Sequence, residues 1–153
     1  MQQSTTPTPS SSFTFTVLGK PAPQGSKRHV GRGVMVEASK RCKPWRQDVR
    51  HTALDLRPEG WYANMDAAIS ISVVFVFARP KNHFRTNGQL KPSAPTYCTA
   101  RIGDVDKLAR SILDSLAGVL FAADEQVINL IAQKRYANDR EQPCAIITVS
   151  AVS

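Results

Sequence analysis

Three aspartates in the last third of the chain have types and spacing that could carry chemistry. Asp104 and Asp106 stand in the segment GDVDKLAR, and Asp124 follows in ADEQV. Magnesium is a hard cation that prefers a few carboxylates, with water and phosphate oxygens completing its coordination. The three residues therefore form a candidate magnesium site.

The spacing of these aspartates sets conditions on the backbone around them. Alternate residues of an extended segment share a face, whereas residues two apart on a helix lie roughly 200° apart. Asp104 and Asp106 can therefore face one metal only if a helix begins at or just after Asp104. Asp124 can return to the start of that helix if residues 119–124 run back along it, because six extended residues span roughly 20 Å.

Each of these residues also has an ordinary structural interpretation. Asp104 or Asp106 could be a helix N-cap, a position at which aspartate is favoured. Asp124 could belong to a turn that precedes a strand. Arg110 lies one helical turn after Asp106 and could simply pair with that residue or with Asp114.

The charge of the chain is distributed unevenly. Lys and Arg number 20 and Asp and Glu 12, which gives a net charge of +8. Residues 1–103 contain 15 basic and 5 acidic side chains, residues 104–153 contain 5 and 7, and no acid occurs from residue 67 to residue 103. A basic portion of this kind indicates a polyanionic partner such as nucleic acid.

The elements that must position these residues fit one small domain, since 153 residues are too few for two. Hydrophobic periodicity predicts a mixed α/β (α+β) fold, in which two main helices accompany a mixed β-sheet. Residues 1–12 are predicted to be a flexible tail and 79–103 a long basic loop. Strands are predicted over 13–18, 34–36, 67–78, 126–136 and 145–152, and helices over 38–56, starting near Pro44, and 106–118.

Several protein classes do not fit the sequence. No apolar run reaches the length of about 18 residues that is needed to span a bilayer. The N-terminal segment lacks the basic and apolar regions of a secretory signal. Three widely spaced cysteines argue against a disulfide framework and against a zinc site. We therefore expect a soluble protein of a reducing compartment.

Three segments of the sequence resemble the RusA family of Holliday-junction resolvases, which is common in phages and prophages. They are GKPAPQGSKR at residues 19–28, GDVDKLARSILDSLAGV at residues 103–119 and ADEQV at residues 123–127. The resemblance implies a homodimer in the cytoplasm of a bacterial host. It also implies symmetric cutting of four-way DNA junctions, with Mg²⁺ or Mn²⁺ held by three aspartates.

By position, the resemblance implies that Asp104, Asp106 and Asp124 are the metal ligands. Arg110 occupies the place of the family's catalytic lysine, and Lys107 next to Asp106 points to another side of the helix. Because arginine does not readily give up its proton, we assign Arg110 to stabilising charge on the phosphate. Contacts with DNA phosphates are expected from nine basic residues: Lys20, Lys27, Arg28, Arg32, Lys81, Arg85, Lys91, Arg101 and Lys107.

Two alternatives to a junction resolvase stay open on the sequence. A nuclease that acts on flaps or on branched DNA in general would need the same metal site. A non-catalytic protein that binds DNA junctions would need only the basic residues, and the aspartates would then be caps and turns. Asp106→Asn would leave the function of such a binding protein intact.

Overall fold

The computed structural model describes residues 11–25 and 40–152, and it describes the backbone alone for two short strands between these ranges. Most of the predicted N-terminal tail lies outside the described residues, and Ser12 already belongs to the first strand. The elements, in chain order, are β1 (Ser12–Leu18), β2 (Lys27–His29), β3 (Met35–Glu37), α1 (Cys42–Leu56), β4 (Ala68–Phe77), α2 (Val105–Leu116), β5 (Val127–Tyr136) and β6 (Cys144–Val152).

The four long strands form one mixed sheet in the order β1-β6-β4-β5, and β2 pairs with β3 separately. The β1–β6 and β6–β4 pairs are antiparallel, whereas β4 and β5 are parallel. Parallel neighbours need a crossover connection, and α2 lies in the one that joins β4 to β5. The predicted fold class, one small α+β domain with a mixed sheet and two helices, is confirmed.

Both helices pack against one face of the sheet, because each carries apolar residues at helical spacing. Val49 of α1 and Ile112 of α2 are fully buried in the same cluster as Ile71 of β4. The first helix begins at Cys42, so Pro44 stands in its first turn, where the missing N–H costs nothing. The second helix begins at Val105, directly after Asp104, as the metal-site hypothesis requires.

The connection over residues 79–103, predicted to be one long loop, contains local structure of its own. A 3₁₀ turn at Lys81–His83 is followed by an antiparallel bridge between Phe84 and Leu90. The turn that closes this small hairpin is allowed by Gly88, whose φ is +87°. The Asn-Gly pair at residues 87 and 88 is the sequence signal for this turn.

A short turn after β5 is held by an ion pair at its base. The guanidinium of Arg135 donates two hydrogen bonds, of 2.6 and 2.9 Å, to the carboxylate of Glu141. The backbone N–H of Asn138 donates a third to the same carboxylate at 2.8 Å. Chiefly because of the bond from Arg135, the pKa of Glu141 falls to about 2.

We expect this pair to stabilise the fold above about pH 4.5 and to be lost as the pH falls towards 2, because the folded state binds the proton more weakly. Glu141→Gln should remove that pH dependence, which we estimate at roughly 2–3 kcal/mol of unfolding free energy. Chemical denaturation from pH 6 to pH 2 would measure it. Asp139→Asn, in the same turn, is the matched control, and equal pH profiles for the two variants would contradict the assignment.

Candidate functional site

A groove of about 650 Å³ runs along α2 and is lined by two of the three predicted metal ligands, Asp106 and Asp124. Arg110 lines the same groove, one helical turn after Asp106. Both aspartates and Arg110 are exposed, so their charges face solvent and any bound ligand. The groove is completed by Gln24, Leu113, Asp114 and Leu130.

Asp104 occupies the N-cap position of α2, but its carboxylate does not cap the helix. Its backbone is extended (φ −71°, ψ 142°), and its side chain makes no capping hydrogen bond. Only its carbonyl joins the helix, by accepting a hydrogen bond of 2.9 Å from the N–H of Leu108. The carboxylate is exposed, so the simple N-cap interpretation does not account for it.

Any residue other than glycine would be strained at the position before Asp104. Gly103 has φ +132°, and a Cβ there would lie 3.2 Å from Leu108 and from Pro23. Its carbonyl accepts a hydrogen bond of 2.9 Å from the ammonium of Lys134 on β5. These contacts fix the point at which the chain enters α2, and with it the position of Asp104.

Asp124 reaches the groove by a different route from the extended return that its spacing allowed. Residues 119–121 are apolar and buried, and the N–H of Gly118 bonds to the carbonyl of Phe121 at 2.6 Å. The chain therefore turns tightly at the end of α2, because burying these side chains outweighs an extended path. Asp124 then opens a 3₁₀ turn directly before β5.

The turn that carries Asp124 is held by the buried amide of Gln126. The Gln126 Oε1 accepts hydrogen bonds from the N–H groups of Ala122 and Ala123 at 2.7 and 2.9 Å. Its Nε2 donates to the carbonyls of Asn64 and Ala67. No role was predicted for Gln126 within ADEQV, because no local pattern distinguishes a buried amide from an exposed one.

The opening segment of the family-like sequence joins the two helices through Gln24. Its N–H bonds to the carbonyl of Lys107 at 2.9 Å, and its Oε1 accepts from Arg46 at 3.2 Å. Arg46 also pairs with Asp114 at 3.7 Å. Among the described residues, no ion pair joins Arg110 to Asp106 or Asp114, so the simple helical pairing of Arg110 is not seen.

The donor chemistry of the groove suits Mg²⁺, since Asp106 and Asp124 offer carboxylates beside a space open to phosphate. Magnesium commonly takes only one or two protein carboxylates and fills its other positions with water and substrate oxygens. In the described part of the chain, no three His, Cys, Asp or Glu side chains lie close enough to share one ion. The assignment of all three aspartates to one metal therefore stays a prediction.

The predicted DNA-binding residues fall on several surfaces. Lys20, Lys81, Arg85 and Arg101 are exposed, and Lys91 and Lys107 are half-buried. The side chains of Lys27, Arg28 and Arg32 lie outside the described residues, although Lys27 and Arg28 belong to β2. The predicted cations whose side chains are described are therefore exposed or half-buried. The polar residues that position the aspartates, Gln24, Gln126 and Lys134, were not predicted.

Gln126→Leu should lower the free energy of unfolding by about 2–4 kcal/mol, because it leaves buried backbone donors and acceptors on both sides of the amide without their hydrogen-bond partner. Urea denaturation of the purified variant would measure this loss. Gln133→Leu, at an exposed position of the strand β5 that follows the turn, should change stability by less than about 0.5 kcal/mol. Equal effects of the two substitutions would show that Gln126 does not hold the turn.

Comparison with known proteins gives one family match. The family described as Endodeoxyribonuclease RusA matches residues 19–149, a range that contains the three aspartates and Arg110. No curated protein matches the chain significantly. Within the described residues, every helix is too short or too polar to cross a membrane.

Proposed function

Because the chain belongs to the RusA family of endodeoxyribonucleases, which act on Holliday junctions, we propose that it resolves four-way DNA junctions by metal-dependent, symmetric nicking of two strands. The observation that carries this proposal is the groove in which Asp106, Asp124 and Arg110 lie together. Such a groove offers both negative groups for a cation and a positive group for a phosphate.

The proposed ion is Mg²⁺ or Mn²⁺. Its proposed ligands are Asp106 and Asp124, which line the groove, together with Asp104, which lies outside the groove lining and is included because the family resemblance implies it. When bound, the ion would make a water molecule nucleophilic and neutralise the charge that develops on the phosphate. The carboxylates themselves would repel both one another and the DNA backbone without a cation between them. Asp104 is held at the entrance of α2 by the contacts of Gly103, and Asp124 is held by Gln126.

Arg110 would bind the phosphate in the place where the family has its lysine. Its guanidinium can donate two parallel hydrogen bonds to phosphate oxygens, and it keeps its charge at any physiological pH. Arg110 would therefore orient the phosphodiester and stabilise the transition state, and proton donation to the leaving group falls to water. Its exposure in the groove leaves the guanidinium accessible to DNA.

The exposed basic residues would bind the junction arms through backbone phosphates. Lys20 lies just after β1, and Lys81, Arg85 and Lys91 lie on the hairpin segment between β4 and α2. Contacts of this kind position DNA without selecting a sequence. They should also make binding weaken steeply with salt, because each neutralised phosphate releases counterions.

Cleavage of a labelled four-way junction, beside a flap and a linear duplex, tests the catalytic proposal. We expect paired symmetric nicks with Mg²⁺ and none with a chelator. Asp106→Asn and Asp124→Asn should each lower the rate at least about 100-fold, since each removes charge from the metal site. Arg110→Lys should keep cleavage, because the family has lysine there, whereas Arg110→Ala should lose it.

Glu125→Gln is the matched control, since it removes an exposed acid next to Asp124 that does not line the groove. Tight junction binding without cutting under either metal would instead support a non-catalytic binding protein. Equal cutting of the flap and the four-way junction would support a general nuclease for branched DNA.

A homodimer is the second part of the proposal, since two symmetric nicks need two active sites. The strand β5 lies at the edge of the sheet and exposes Ile128 and Ile131, at 65% and 58% of their surface. Edge strands with exposed aliphatic side chains favour pairing with another chain. A second copy that covers this edge would lie beside Asp124, which directly precedes the strand.

Sedimentation equilibrium of the wild-type protein at micromolar concentration should therefore give a dimer. Ile131→Lys should shift it towards the monomer and reduce paired nicking, because it places a charge in the proposed contact. Leu54→Lys is the matched control, on a 45% exposed position of α1. A wild-type monomer that still makes paired nicks would contradict the dimer, and a dimer unaffected by Ile131→Lys would contradict this surface.

A further inference from the structure

A second cavity, of about 400 Å³, lies away from the groove, at the carboxyl ends of β4 and β5. One wall is the hairpin segment around Phe84 and Leu90, and the other is the turn at residues 137–141. Both walls start where the parallel strands end. In open sheets with parallel strands, this is the usual place for a ligand site.

Both walls of the cavity are held in place by several contacts. Arg79 links the turn to the segment between β4 and α2, since its guanidinium donates to the carbonyls of Ala137 at 2.8 Å and Pro95 at 2.7 Å. The same guanidinium lies 5.4 Å from the centre of the Tyr136 ring. On the other wall, the bonds between Arg135 and Glu141 fix the turn. The cavity is therefore preformed, which lowers the cost of binding a ligand.

The lining of the cavity combines apolar surface, amide-bearing residues and four charged residues whose formal charges sum to zero, Arg79, Asp139, Arg140 and Glu141. Phe84 and Leu90 also line the cavity; they are 37% and 42% exposed and belong to neither hydrophobic core cluster of the described residues. Gln89 and Asn138, which carry side-chain amides, also line the cavity. An exposed aromatic ring offers a stacking surface, and amides can bond to the edge of a nucleobase.

The charges around the cavity nearly cancel. Glu141 is neutralised by Arg135, and Asp139 is next to Arg140, so the turn carries little net charge. The hairpin carries Arg85 on its exposed side and has no acid. Arg140, which also lines the cavity, adopts φ +63°, a costly backbone conformation for a residue other than glycine.

The cavity is also close in the fold to the start of α2. Lys134, whose ammonium holds the carbonyl of Gly103, is three residues before Ala137 of the cavity wall. Three residues of a strand span about 10 Å, which corresponds to roughly three stacked bases of a DNA strand. A nucleotide bound in the cavity would therefore lie within a few bases of a phosphate near Asp104.

From these observations we propose that the cavity binds one unstacked base of the DNA strand, close to the branch point. This inference rests on the proposed function, since it needs a branched DNA substrate. Extruding a base costs least where pairing is already weakened, as it is beside a branch. Phe84 would stack on the base, and the cavity would hold the junction open and in register with the groove.

Fluorescence of 2-aminopurine, placed at one position at a time within four nucleotides of the crossover, tests this proposal in a chelator, where no cutting occurs. With wild-type protein, we expect the signal to rise on binding at one position, because the base leaves the stack. Phe84→Ala should abolish that rise and weaken junction binding roughly 5- to 150-fold. The salt dependence of binding should be unchanged, because no phosphate contact is removed.

Leu54→Ala is the matched control for truncating an exposed apolar side chain, and Phe84→Trp should restore both affinity and signal. Thermal unfolding of Phe84→Ala should match the wild type, which separates a lost contact from a lost fold. The proposal is overturned if no position responds with the wild type. It is equally overturned if Phe84→Ala keeps the response, or binds within about 2-fold of Leu54→Ala.

The proposed function and this inference can fail separately. A wild-type protein that cuts the unmodified junction with Mg²⁺ but gives no fluorescence response would keep the nuclease and overturn the base site. A protein that gives the response at one position but does not cut with Mg²⁺ would keep the base site and overturn the nuclease.

Discussion

The parallel pairing of β4 and β5 is the constraint on which the rest of the structure depends. Two parallel neighbours cannot be joined by a tight turn, so the chain must cross over between them, and α2 is the helix of that crossover. Because α2 runs opposite to both strands, its first turn lies near the carboxyl end of β5 and its last turn near the amino end. One connection therefore creates both the groove beside α2 and the cavity at the strand ends.

Within this crossover, buried polar contacts position the acidic residues. Asp104 and Asp124 carry exposed carboxylates that do not fix their own backbone, and each depends on a neighbour that bonds to main-chain atoms. Gln126 bonds to the backbone on both sides of the turn before β5, and Lys134 bonds to the carbonyl of Gly103. A buried polar group is costly when it is unpaired, so these side chains favour one arrangement of the turn over others.

The fold was largely predictable because its main signals are periodic. The apolar residues of α2 and the β-branched run of β4 each indicate one element. The helix start after Asp104 was predicted because Asp104 and Asp106 can face one metal only if the helix begins there. The path of residues 119–124 was not predictable, since their extended reach allowed a return along the helix. The structure has a tight turn because Val119, Leu120 and Phe121 enter the core. The roles of Gln24 and Gln126 depend on distant backbone groups, which no local pattern encodes.

The uneven charge of the sequence acquires a physical meaning in this fold. Residues 67–103 contain no acid, and within this stretch an acid on the exposed hairpin would repel a phosphate backbone. Among the acids of the last third, Asp106 and Asp124 are exposed in the groove beside α2, and Glu141 is neutralised by Arg135. Negative charge is thus left accessible where a cation could offset it. Attracting DNA requires positive charge, whereas a cation site requires negative charge. Because the two kinds of charge lie in different segments of the chain, one small domain can provide both.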